Sequence, residues 1–99
     1  MDYLYLLKNS KSINGTNDFD KEAFENGCQE LEKGALIHFN IACIGNTRAN
    51  MVQEEYEANL RAKYGDLLEV IIWESGYSIN RHFKLKGLIK WIMNYKKDL

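Results

Sequence analysis

His38, His82, Cys28 and Cys43 are the side chains of this sequence best suited to acid–base, nucleophilic or metal chemistry. The cysteines lie fifteen positions apart and form no C-x-x-C pair. Spacing therefore anchors neither a dithiol redox motif nor a zinc site, and both read as small buried hydrophobes. Neither histidine has a second metal-type ligand at helical spacing. His38 reads as a satisfied strand residue, and no nucleophile–base pair or carboxylate cluster follows from spacing. The expectation is a protein with no catalytic residue, no metal and no cofactor of its own, more a binding unit than an enzyme.

Phosphate chemistry is constrained by the glycines. A Walker A loop needs a glycine five positions before a Gly-Lys pair, so that backbone N–H groups wrap the phosphates. Glycines 15, 27, 34, 45, 65, 76 and 87 are never closer than seven positions, and none precedes lysine. That spacing also excludes the G-x-G-x-x-G fingerprint. The pair Cys43…Arg48 resembles the phosphate loop of low-molecular-weight tyrosine phosphatases, in which five residues separate the cysteine from the arginine. Here four intervene, which redirects the guanidinium relative to the thiolate.

What remains is a set of polar residues expected at strand ends. Ser10 and Lys11 lie in a segment, Asn9–Asn17, that reads as loop, while Gly45, Asn46, Thr47 and Arg48 lie between an apolar run and a helical pattern. In a parallel sheet, ligands gather at the carboxyl ends of strands, where helix N-termini also point. These six residues form a candidate anion site there, beside Glu74–Ser78. Two starts are open for the helix that follows: Asn50 with Gln53 makes a capping box, or the helix begins at Asn46 or Thr47.

The elements that must hold these residues follow from periodicity. Tyr3–Lys8 is a near-continuous apolar run, as in a strand covered on both faces. Asp18–Lys33 carries Phe24, Cys28 and Leu31 at helical spacing, with acids early and Gly34 at the stop. Gly27 inside it costs about 1 kcal/mol relative to alanine. Ala35–Ile44 alternates as a strand. The next helix has Val52, Tyr56 and Leu60 on one stripe, Gln53, Glu54, Glu57, Arg61 and Lys63 away from it, and Gly65 at its end. Leu67–Trp73 is a third strand. Residues 77–86 alternate with period two, which fits a hairpin turning at Ser75-Gly76, but a direct turn into helix competes. A last helix is expected over about Leu88–Lys97.

Strands alternating with helices over 99 residues give one α/β domain, residues 1–99, of a small three-layer type. Its order is βαβαβα, or βαβαββα if the hairpin forms, with a mainly parallel sheet. No apolar run reaches membrane-spanning length, so a cytoplasmic protein is expected. The chain has no proline to blunt its sheet edges, and homo-oligomer formation or docking on a larger protein is expected from that. Net charge is −1, yet residues 81–99 hold Arg81, Lys84, Lys86, Lys90, Lys96 and Lys97 against Asp98 alone. With Trp91 among them, this stretch suits DNA or an acidic partner.

The string "NTRANMVQEEYEANLRAKYGD", preceded by "ALIHFNIACI" and followed by "LLEVII", resembles the C-terminal half of ParA/MinD-type partition ATPases, best over residues 35–73. The resemblance implies a half-domain without the P-loop half, so no ATP hydrolysis. It also implies non-specific DNA binding through basic residues, with Arg48 on the family's turn arginine. Where a Pro-Arg-like segment is usual, this chain has Glu74-Ser75-Gly76, and Arg81 lies only nearby. The expected function is thus a non-enzymatic, partition-like domain binding DNA weakly or docking on a protein, through Arg48, Arg81, Lys84, Lys86, Lys90 and Trp91. The alternative is a nucleotide or phosphorylated small molecule at the strand ends.

Overall fold

The computed structural model describes residues 8–41, 45–75 and 78–86. Its elements are β1 (Ser10–Gly15), α1 (Lys21–Glu32), β2 (Leu36–Ile41), α2 (Asn46–Tyr64), a 3-10 turn (Gly65–Leu67), β3 (Leu68–Ser75) and β4 (Ser78–Leu85). The strand expected over Tyr3–Lys8 lies outside the described residues except for Lys8, which is helical. The helix expected over Leu88–Lys97 lies outside them entirely.

Helix α1 starts where the sequence supplies a cap. The Asp20 carboxylate accepts from the amides of Glu22 (2.9 Å) and Ala23 (3.4 Å), satisfying donors that the first helical turn leaves open. Gly34 (φ 91°) and Gly65 (φ 58°) follow α1 and α2 in the left-handed region, where a Cβ is strained, and each ends its helix as expected. Helix α2 begins at Asn46 behind Gly45, so the Asn50–Gln53 capping box does not form. Both of those side chains lie inside the helix and bond to Arg81 instead.

The four strands lie in the order β1-β2-β4-β3. β1 and β2 are parallel, whereas β4 is antiparallel to both β2 and β3. The sheet is mixed, not mainly parallel, because residues 78–85 return as a hairpin strand and insert between β2 and β3. Ser75 pairs with Ser78, so Ser75 belongs to β3 rather than to the turn expected at Ser75-Gly76, and residues 76–77 lie outside the described residues. The loop expected over Asn9–Asn17 is also overturned. Ser10–Gly15 is an edge strand in which Ile13 alone is buried, so its polar sequence hid it.

Both crossovers, β1-α1-β2 and β2-α2-β3, step the same way across the sheet. Right-handed connections in one direction leave both helices on one face. Gly27 of α1 and Tyr56 of α2 accordingly both meet Phe39. The described elements make two layers, with Ile13, Ala23, Cys28, Leu31, Ile37, Phe39, Val52, Tyr56, Leu60, Phe83 and Leu85 in a common core. A third layer is not among them.

Tyr56 ties the layers together. It is fully buried, stacks on Phe39 with ring centroids 4.0 Å apart, and its hydroxyl accepts from the Asp20 amide at 3.0 Å. That packing explains Gly27. A Cβ there would stand 2.7 Å from Phe39 Cζ and 3.1 Å from Ile37 Cδ1, and Tyr56 blocks the ring's retreat. Gly27→Ala gains about 1 kcal/mol of helix propensity but overpacks the core by about 1–3 kcal/mol. A lowered melting temperature is expected in thermal denaturation, and an unchanged or raised one would show that the ring can yield.

Candidate functional site

The basic residues were the first candidates, and most of those described are already paired. Arg48 forms an ion pair with Asp18 and donates from Nε to the Asn17 carbonyl at 3.2 Å, joining the start of α2 to the segment before α1. Lys11 bonds Glu30 at 2.8 Å, and Lys33 reaches the same carboxylate at 3.3 Å. Hydrogen bonding to Lys11 is the main reason that Glu30 titrates below the ordinary carboxylate value. Arg61 bonds Glu57, one helical turn earlier on α2, at 3.3 Å. Lys84 is half-buried and Lys86 exposed, with no ion pair among the described residues. Lys90 and Trp91 lie outside the described residues.

Arg81 is drawn inward. It is 9% exposed, its Nε donates to Glu57 at 3.0 Å, and its terminal nitrogens reach Glu54 (3.4 Å) and Asn50. Period two puts Arg81 on the inner face with Phe83 and Leu85, so a cation must be neutralised beneath α2.

The six candidate anion residues do not come together. β1 runs parallel to β2 with Ser10 beside Leu36 and Gly15 beside Ile41, so Ser10 and Lys11 sit at the opposite end of the sheet from Gly45–Arg48. Five residues of strand, about 17 Å, separate the two groups. Gly45, Asn46, Thr47 and Arg48 do open α2 at the carboxyl end of β2, as expected.

At that end the sheet itself opens. Among the described residues, β2 and β4 share one registered pair, Ile37 with Phe83, and beyond it the strands part. The next β4 amide facing the seam, that of Arg81, donates to Gln53 Oε1 at 3.2 Å rather than to β2. Gln53, which helical spacing had assigned to the outer face, is buried at this point. The parted strands enclose a cleft of about 220 Å³ lined by His38, Phe39, Asn40, Ile41, Ala49, Gln53, Ile79 and Asn80.

No protein-family model matches the chain, and no curated protein matches it. The cleft must therefore be read from its own chemistry. Its polar side chains are three carboxamides and one imidazole, and none of its lining residues is acidic, lysine or arginine. The apolar walls come from Phe39, Ile41, Ala49 and Ile79. Burial pulls the pKa of His38 down, which favours the neutral ring, and Ser10 Oγ lies 3.1 Å from its Nδ1.

Behind His38 lies His82, with ring centroids 5.2 Å apart. His82 is 1% exposed, and neither ring nitrogen has a hydrogen-bond partner among the described residues. Burial, reinforced by His38, lowers its pKa to about 4. Sequence spacing could not bring these rings together, because forty-four positions separate them. The signal available was period-two alternation, which puts both on the face away from the helices once β2 and β4 are paired. No group of three metal-type side chains exists among the described residues.

Proposed function

We propose that this chain is a binding domain whose ligand seats in the cleft between β2 and β4. The observation that carries the reading is the parting of two central strands where Gln53 replaces a ladder hydrogen bond. In open α/β sheets ligands collect in crevices outside the carboxyl ends of strands. This cleft lies toward the carboxyl end of β2, which has parallel β1 on one side and antiparallel β4 on the other. The volume lies below the range of about 300–1,000 Å³ found for drug-sized ligands, which suits a fragment-sized one. In an amide-detected NMR screen with a fragment library, shifts are expected at Asn40, Gln53, Ile79 and Asn80. Shifts confined to other surfaces would defeat the reading.

The partition-like reading rests on the resemblance of residues 35–73. Its DNA-binding form loses support from the commitment of Arg48 and Arg81 to Asp18, Glu54 and Glu57, and leans on Lys84 and Lys86. The docking form has an observation of its own. The outer edge of β3 has no strand beside it among the described residues, and Ile72 on it is 50% exposed. A second copy pairing antiparallel about Ile72 sets Ile71 against Trp73, Val70 against Glu74 and Glu69 against Ser75, so no glutamate faces another. Concentration-dependent dimerisation, lost in Ile72→Lys, is the expected outcome by analytical ultracentrifugation. A monomer at every concentration removes this version.

A further inference from the structure

We propose that the ligand of the β2–β4 cleft is a small, planar, uncharged molecule with a hydrogen-bond donor and acceptor side by side, as on the edge of a nucleobase or a heteroaromatic carboxamide. This rests on the cleft being the binding site, and goes further by naming the chemistry it takes.

Charge is the first discriminator. None of the eight residues lining the cleft is a carboxylate, lysine or arginine, and its imidazole is held in a half-buried setting beside Ser10 Oγ. Arg81, on β4, does not line the cleft, and its guanidinium is taken up by Glu54, Glu57 and Asn50. An ion entering the cleft would lose hydration with no opposite charge among the lining residues to offset it, a cost of several kcal/mol. A neutral ligand avoids that penalty.

Hydrogen-bond pattern is the second. Asn40, Gln53 and Asn80 each carry a carbonyl oxygen and an NH₂ group on one planar head. Such a head matches any partner edge with a donor next to an acceptor, in the manner that Asn and Gln read adenine. Gln53 Oε1 already accepts from the Arg81 amide, which fixes the plane of that head and leaves its NH₂ end as the donor. Ile41, Ile79, Phe39 and Ala49 supply apolar cover for the faces of a flat ring.

The test uses the full chain and defined probes: adenine, cytosine and nicotinamide against acetate, inorganic phosphate and spermidine, titrated by amide-detected NMR. The neutral heteroaromatic probes are expected to saturate shifts at Asn40 and Asn80, and the charged probes to leave them unmoved. Asn80→Leu, at a half-buried position, is expected to weaken the neutral probes at least ten-fold while keeping the native spectrum. Saturable binding of a charged probe at Asn40 and Asn80, equal to or tighter than the neutral ones, overturns the ligand class and leaves the cleft as a site. Failure of every neutral probe overturns the class too, and if the fragment library also leaves the cleft unmoved, the site falls with it.

Discussion

Arg81→Met is expected to lower the unfolding free energy by about 2–4 kcal/mol. Arg81 enters the inner face because β4 alternates, and its guanidinium is neutralised by Glu57 at 3.0 Å with help from Glu54 and Asn50. Removing one member of a buried ion pair leaves the other as an uncompensated charge, a cost of about 3–5 kcal/mol when both are fully buried. Glu57 keeps about a fifth of its side chain in contact with solvent, which brings the expectation down from that range to about 2–4 kcal/mol. Glu54 is mostly exposed and its pairing adds little. Urea unfolding measures the change. Arg81→Met combined with Glu57→Gln should recover at least 1 kcal/mol, because the stranded carboxylate is then gone. Equal losses in the single and double variants would mean that packing of the arginine stem, not charge, holds α2 to β4. The same residue borders the cleft: its amide donates to Gln53 while its guanidinium bonds Asn50, Glu54 and Glu57 of the same helix.

How much of this was legible in the sequence depends on the range of each interaction. Local signals carried α1, the end of α2, the glycine stops and the Val52–Tyr56–Leu60 stripe, since each rests on residues within a few positions. β1 was missed because Ser-Lys-Ser-Ile-Asn-Gly holds a single core residue, and an edge strand paired on one side needs no more. The mixed sheet was missed because alternation in residues 78–85 fits a strand of either direction. Only the hairpin, which competed with a direct turn into helix, decides it. Gln53 and Arg81 were misplaced for different reasons. Helical spacing classes Gln53 as outward, and Arg81 counts by charge as a basic binding residue, yet they meet across a seam that appears only after the strands are ordered. The cleft is accordingly a property of topology, and the six residues grouped as an anion site were divided by the direction of β1.

Acidification from pH 7 to pH 4.5 is expected to destabilise the domain steeply, with His82 as the principal cause. In the unfolded chain His82 titrates near the ordinary value of 6.5, whereas burial and the neighbouring His38 ring lower it to about 4 in the fold. The folded state thus binds fewer protons below pH 6.5, and stability falls as pH falls. The contribution is complete above pH 6.5, is lost progressively down to about pH 4, and a shift of that size corresponds to at most about 3 kcal/mol. His38, lowered by burial as well, adds to the same slope. Glu30, whose pKa is held below 4.5 mainly by hydrogen bonding to Lys11, gives up its contribution as pH falls through 4.5, so the upper part of the window belongs to the histidines. His82→Leu should flatten the slope in that window without loss of stability at pH 7.5, since neither ring nitrogen has a partner there to lose among the described residues. Urea midpoints at pH 7.5, 6.0 and 5.0 for both proteins decide the matter, and a slope unchanged by His82→Leu would locate the acid sensitivity elsewhere. Because His38 lines the cleft and His82 stands behind it, protonation that loosens the pair should also open the seam, so cleft probes should be released over the same pH interval.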